Sequence, residues 1–380
     1  MIRNDEVGCA TCQDYTCRLG YRDLGPDNCP MKGDFPTREE LYGDREDLVA
    51  TARSAAIIEG EGYRKWTRSK EILELASRLG VSSVGLAACK GMMMELDIYA
   101  GWLADAGFEV LRGPDAVTNG RCGPREQAAY LNQRGTGLNV MMGMCVGHDS
   151  LFMQASKSLV TPLVSQDSFL RHNPVAALHT HRTYFEGPLY RAHKQAYAAP
   201  VLEPGTLQEA AKDPFGPAAD RLDELADQVV QDGDGRWCRV EELLEFAGRA
   251  GARTLGLIFC AGFREEGRTL YHVLEVNGFQ TLSIQCKAGA VPKEEMGLLD
   301  SQKVRPGSKE MMCNPLAQAV VLNRTGTDLN ILLGQCAGHD AGSIATTEAL
   351  GVSLAVKDRV LAHNTVVELY QRALQDRPPT

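Results

Sequence analysis

The chain repeats itself in tandem. Cys122 to Asp149 reads CGPREQAAYLNQRGTGLNVMMGMCVGHD and Cys313 to Asp340 reads CNPLAQAVVLNRTGTDLNILLGQCAGHD, with about half the positions identical and no gap. The same offset, 191, pairs Asp167 with Asp358, His172 with His363 and Asn173 with Asn364. Upstream, an offset of 171 pairs Trp66 with Trp237, Arg68 with Arg239, Gly85 with Gly256 and Cys89 with Cys260. A repeat of this length means two successive units of one fold. The change of offset places an insertion in the second copy, around Cys286 to Lys309, in a Gly-, Lys- and Glu-containing stretch suited to a loop or lid.

Within each copy, helical spacing alternates with short apolar runs. Ile72, Leu73, Leu75, Ala76 and Leu79 precede Val84 to Ala88; Val240, Leu243, Leu244 and Ala247 precede Leu255 to Phe259. Further strands are predicted near Phe108 to Leu111 and Thr281 to Ile284, Leu138 to Met142 and Leu329 to Leu333, and Leu159 to Val164 and Val352 to Val356, with helices opening at Pro124 and Pro315. This alternation predicts an α/β chain of two tandem doubly wound, Rossmann-like parallel-sheet domains of about four strands each. The expected boundaries are a cysteine-rich metal-binding module at 1–45, a first core at 46–189, a connector at 190–216 and a second core at 217–380.

Composition bounds the partners. The 380 residues are 44% hydrophobic and 23% charged, as in a globular protein, and the net charge of -9 with 6% aromatics argues against nucleic acid and anionic lipid. No apolar run approaches the ~20 residues that span a bilayer, and the start, Met1 to Glu6, lacks a hydrophobic leader, so no membrane role and a cytoplasmic location are expected. There thiols stay reduced, and twelve cysteines in groups read as metal ligands or catalysts.

Cys9-x2-Cys12-x4-Cys17-x11-Cys29-Pro30 packs four thiols into a segment with few large apolar side chains. Such a segment gains folding free energy from one tetrahedral zinc or from an iron–sulfur cubane. In the cores, Cys89, Cys122 and Cys145 match Cys260, Cys313 and Cys336. Cys89, Cys145, Cys260 and Cys336 end predicted strands, whereas Cys122 and Cys313 precede helix-opening prolines. All lie toward the carboxyl edge of a parallel sheet, where open α/β folds bind ligands. Three thiols could hold a cubane with one open iron, or zinc completed by His148 or His339; small buried cysteines are the plain structural reading. Cys286, followed by Lys287, adds a fourth thiol to the second copy alone.

Gly147-His148-Asp149 and Gly338-His339-Asp340 could orient a ligand or move a proton beside a thiolate. His172 and His363 read as polar edge residues, helix caps or site groups. Cys238, placed on a helix, His179, His181 and the methionines of 92–94 and 141–144 are expected to be structural or superficial. No Gly-rich phosphate loop follows a predicted strand, which disfavours nucleotide binding.

The Cys9/Cys12/Cys17/Cys29-Pro30 cluster, Cys313-Asn314-Pro315 with Gln318-Ala319, Thr327-Asp328-Leu329-Asn330, Cys336-Ala337-Gly338-His339-Asp340, Lys357-Asp358-Arg359-Val360 and His363-Asn364 together resemble a bacterial and archaeal family of metal-binding proteins, domain of unknown function 1847. The chain looks like a member with the core doubled. The first copy departs from the pattern, with no Cys-Lys pair and with Gln166-Asp167-Ser168 in place of Lys357-Asp358-Arg359. The expectation is a cytoplasmic iron–sulfur protein in electron transfer or sulfur and thiol chemistry, working with a small molecule or redox partner. The alternative is a non-catalytic, zinc-stabilised binding or sensing protein.

Overall fold

The computed structural model describes residues 8–21, 24–32, 35–114, 117–118, 121–190, 200–233 and 235–375. The first seven residues, and 191–199 of the expected connector, lie outside them.

After the N-terminal module come α1 (Arg38–Tyr42), α2 (Glu46–Gly62) and α3 (Arg68–Arg78). The first copy continues through β1 (Ser83–Ala88), α4 (Met93–Asp105) and β2 (Glu109–Arg112), then a short antiparallel pair, β3 (Val117–Thr118) and β4 (Arg121–Cys122). It closes with α5 (Pro124–Arg134), β5 (Leu138–Met142), α6 (Val146–Ala155), β6 (Leu159–Val164), α7 (Val175–His179) and α8 (Glu186–Leu189). The expected connector carries a helix, α9 (Thr206–Lys212). The second copy runs α10 (Pro217–Gly233), α11 (Arg239–Arg249), β7 (Thr254–Phe259), α12 (Arg264–Val276), β8 (Gln280–Gln285), α13 (Pro315–Thr325), β9 (Leu329–Leu333), α14 (Ala337–Thr346), β10 (Leu350–Ala355) and α15 (Val366–Gln375).

The strands form two four-stranded, all-parallel sheets in equivalent orders, β2-β1-β5-β6 and β8-β7-β9-β10. The α/β fold read from the sequence is therefore present, each expected strand lying within a residue or two of its observed place. Parallel sheets are covered on both faces, which is why their strands are apolar runs and not alternating ones. Among the described residues no helix is long and apolar enough to cross a membrane.

The repeated Thr-x-x-Asn has a structural explanation. Thr136 Oγ1 donates to Asn139 Oδ1 at 2.6 Å and Thr327 Oγ1 to Asn330 Oδ1 at 2.7 Å, both buried. Each asparagine lies beside a glycine of the neighbouring strand, Gly85 or Gly256, where a Cβ would strike Oδ1. A buried amide that needs this space accounts for both repeated residue types.

The copies are interleaved. α14 packs on α2, α3 and β6 of the first copy, while α6 packs on α10, α11 and β10 of the second. α15 reaches back to α4, and α7 reaches forward to α12. Two wholly buried arginines hold this exchange together. At the start of α3, Arg68 donates to Thr161 Oγ1 and Pro162 O of its own copy, and to Gln335 O, Asp340 and Asp358 of the other. At the start of α11, Arg239 makes the mirror set: Ser353 O of its own copy, and Met144 O, Gln166 O, Asp149 and Asp167 of the first. Glycine in each Gly-His-Asp turn permits the close approach. A Cβ on Gly338 would lie 2.6 Å from Ala55 Cβ, and one on Gly147 would strike Ala226.

Candidate metal centres at the carboxyl edges of the sheets

The second sheet brings its four cysteines to one edge. Cys260 follows β7, Cys286 follows β8, Cys313 stands before Asn314, the N-cap of α13, and Cys336 is the N-cap of α14. Backbone bonds extend the strand pairing through them: Cys260 N–H donates to Leu333 O at 3.1 Å, Cys286 N–H to Phe259 O at 3.0 Å and Asn314 N–H to Cys286 O at 2.7 Å. Gly262 N–H donates to Cys260 Sγ at 3.2 Å and Ala261 N–H to Cys286 Sγ at 3.3 Å.

Cys286 stands next to both Cys260 and Cys313. Its own thiol is held well above the ordinary range by those two neighbours, while Cys260 and Cys313 are drawn down toward thiolate, first by Cys286 and then by Lys357 and Lys287 respectively. Cys336 Sγ lies 2.9 Å from His339 Nδ1, and burial pushes its thiol up to about 12. The other ring nitrogen of His339, Nε2, is buried without a hydrogen-bond partner among the described residues, which is uncommon in a folded interior.

Part of the wall belongs to the first copy. Glu59, near the end of α2, lies 2.9 Å from Arg359 and 3.6 Å from Lys293, and Glu71 of α3 lies 3.3 Å from Arg359. Burial alone would raise the Glu59 carboxyl, but Lys287, Arg359 and Lys293 overcome it and hold the group far down as carboxylate. Burial would likewise lower Lys287 and Lys357, but the facing thiols, Cys313 and Cys260, keep both ammonium groups charged.

The first sheet builds a different site from matching positions. Cys89 follows β1, Cys122 precedes α5 and Cys145 is the N-cap of α6, with Cys89 and Cys122 Sγ 3.8 Å apart. His148 stands beside Cys122 and Cys145, and its Nε2 lies 3.3 Å from Asp223 and 3.7 Å from Asp227, both on α10 of the other copy. Burial opposes the imidazolium, but the Cys145 thiol and Asp223 overcome it and raise His148 well above its usual value. Glu242 of α11 accepts from Val146 N–H at 2.6 Å. Carboxylates thus dominate around this site, whereas the other sets Lys287, Lys357 and Arg359 against its two glutamates; Gln166 occupies the position that Lys357 holds in the second copy.

In the N-terminal module, Cys9, Cys12, Cys17 and Cys29 line one cavity of about 20 Å³ together with Gln285 and Ala288. The module is docked on β8: Cys9 N–H donates to Ser283 O and Ala10 N–H to Ser283 Oγ, both at 2.9 Å, and Gln285 Nε2 donates to Cys17 Sγ at 3.3 Å. Burial, with the neighbouring thiols adding to it, pushes Cys17 up to about 11 and raises Cys9 and Cys29. A cavity of this size, just above the ~10–15 Å³ that admits one water, is on the scale of a single ion. Among the described residues all twelve cysteines are free, and no three His, Cys, Asp or Glu side chains already converge as around one ion.

The remaining singled-out residues have other partners. Asp149 and Asp340 pair with Arg239 and Arg68, so they anchor the Gly-His-Asp turns across the copies. His172 and His363 adopt left-handed backbone, φ 62° and 71°, and their Nδ1 atoms accept the N–H of Asp167 at 3.3 Å and Asp358 at 3.1 Å, which makes them turn fasteners. Cys238, expected on a helix, is the buried N-cap of α11, matching Thr67 at α3. His179 Nε2 lies 2.7 Å from Glu266 Oε1 at the surface, and His181 meets Tyr190 OH. Sequence reasoning missed Glu59, Glu71, Asp223, Asp227 and Glu242; the match of Glu71 with Glu242 at the 171 offset was the available signal.

The family described as "Protein of unknown function (DUF1847)" matches residues 31–113, 115–163 and 203–354. A curated relative, "Uncharacterized protein MJ0455" of Methanocaldococcus jannaschii, is 38% identical over 134 residues, covering 35% of this chain and 67% of its own length. Among solved structures, two of Dph2 from Pyrococcus horikoshii, the first described as with a 4Fe-4S cluster, align at 11% identity with TM-scores of 0.24 and 0.22, covering 76% and 82% of this chain and 95% and 91% of theirs. That likeness is too slight to carry an argument, whereas the family match spans both cores: the chain belongs to the DUF1847 family, with its core present twice.

Proposed function

We propose that this is a metal-dependent redox protein whose second core holds an iron–sulfur cluster on Cys260, Cys286, Cys313 and Cys336, beside a second metal centre on Cys9, Cys12, Cys17 and Cys29. One observation carries the reading: four cysteines from four separate chain positions stand along one sheet edge, beside two buried lysines that favour the anionic form of Cys313 and Cys260. The donor set fits, since thiolates are the ligands of such clusters and cations offset the negative charge of a thiolate-ligated one. When bound through all four thiolates the cluster would supply one-electron transfer, and held by three of them it would leave one iron open for sulfur chemistry on a small molecule.

The chain's own groups have separable roles. Lys287 and Lys357 hold Cys313 and Cys260 anionic, and Cys286 carries the proton that metal binding must release. His339, beside Cys336 and with Nε2 unpartnered among the described residues, is placed to donate or accept at the edge of the site. Cys17 lies one hydrogen bond from Gln285, the residue before Cys286, so the two thiol groups stand back to back for exchange with a redox partner. The reading requires a reducing compartment, where these thiols stay free.

The ion-sized N-terminal cavity and the Cys-Cys-Cys-His set of the first core favour a second reading, a zinc-stabilised binding or sensing protein. Iron, acid-labile sulfide and zinc counted per chain after oxygen-free purification, with electron paramagnetic resonance after reduction, decide between them. Iron and sulfide that fall in C313S/C336S support the first reading. Zinc without sulfide supports the second and overturns the first.

A further inference from the structure

A cavity of about 710 Å³ opens between the N-terminal module, the end of α2 and the inserted segment of the second copy. Arg18 lines it from the module, and Lys287, Lys293, Arg305 and Lys309 line it from the insertion. Against these five cations stand three carboxylates, Asp14, Glu59 and Glu310. Lys293 is buried and taken up by Glu310 at 2.9 Å and Glu59 at 3.6 Å. Among the described residues Arg18, Arg305 and Lys309 have no carboxylate partner, so the surplus charge at the mouth is free to meet a ligand. Lys287 joins this cavity to the thiols: it lines the cavity and follows Cys286 directly, its Nζ donates to Met311 O at 2.6 Å, and its charge acts on Cys313. The first copy has neither the insertion nor these cations.

We propose that this cavity binds a small anion carrying clustered carboxylate or phosphate oxygens, and presents it through Lys287 to the thiols of the second core. The inference rests on the reading of that core as the reaction site. The volume lies within the ~300–1,000 Å³ of small-molecule sites. On a chain of net charge -9, a concave group of cations concentrates anions locally, where the surface at large repels them.

Calorimetric titration of the full-length protein at low ionic strength with citrate and with pyrophosphate tests it, with iron and sulfide measured on the same samples. At least one probe binds, and R305E/K309E weakens it about tenfold or more with metal content unchanged. Arg305 and Lys309 are exposed, and R305Q/K309Q, expected to weaken binding in the same direction, covers any disturbance of the loop by charge reversal. Absence of binding by both probes, or equal binding in both double variants, overturns the inference. Binding without iron or sulfide overturns the cluster and leaves the anion site standing; iron and sulfide without binding does the reverse.

Discussion

Arg68 and Arg239 have no side-chain exposure, and each joins its own last strand to a turn of the other copy. Removing the guanidinium while its carboxylates stay buried is the expensive way to break a buried pair, about 3–5 kcal/mol. R68M should therefore lower unfolding stability by about that much in urea titrations, with R68M/D340N recovering part of it; a loss under ~1 kcal/mol would show that the staple is dispensable. Sequence reasoning had both residues paired by offset but gave them no role, because nothing in a linear pattern tells that an arginine at a helix start will be buried. His172 and His363 yield a pH prediction. Each accepts a backbone N–H through Nδ1, and burial lowers its pKa, so only the neutral ring fits the folded chain. The unfolded chain takes up protons below the ordinary histidine value of ~6.5 while the folded chain resists. The stabilisation is therefore full above that value and is lost as the pH falls through the lowered native values. Melting temperature should drop over this range, and less steeply in H172N/H363N, since asparagine tolerates left-handed backbone and does not titrate there.

Helices show the same division between what is local and what depends on the other copy. Gly101, inside α4, has nothing within 4 Å of a built Cβ, so G101A should stabilise by about 0.5–1 kcal/mol through helix propensity alone. Gly338, inside α14, faces Ala55 of the other copy, so G338A should destabilise by about 1–3 kcal/mol despite the same propensity gain. Opposite signs for the two substitutions in thermal melts would establish that the Gly-His-Asp glycine serves packing between copies. Legibility follows the same line. Strands and proline-opened helices were readable, since apolar runs and Pro124 and Pro315 at the first helical position are local signals. The exchange of α2–α3 for α10–α11 was not, because periodicity marks which face of a helix is apolar and not whose sheet it meets. Hence the cysteines at the strand ends could be found, while the carboxylates that wall them, carried on borrowed helices, could at most be matched by offset, as Glu71 with Glu242, and not placed at a site.

At the scale of the molecule, neither copy owns a complete site: Glu59 and Glu71 of the first wall the thiols of the second, and Asp223, Asp227 and Glu242 of the second surround His148 of the first. Segments 1–199 and 200–380 made separately should each fail to give a cooperative melt, and made together should recover a one-to-one complex by light scattering; a stable, folded second segment alone would refute the interdependence. Linking the copies turns what would be a concentration-dependent pairing of subunits into an intramolecular one. The first copy lacks the lysines and the fourth cysteine of the second, yet its helical hairpin carries Arg68, Glu59 and Glu71 into the other half. Selection on either centre therefore shields the opposite half from genetic decay. Such a duplication can drift in its chemistry, but it cannot shorten back to one gene's length by deleting the weaker half.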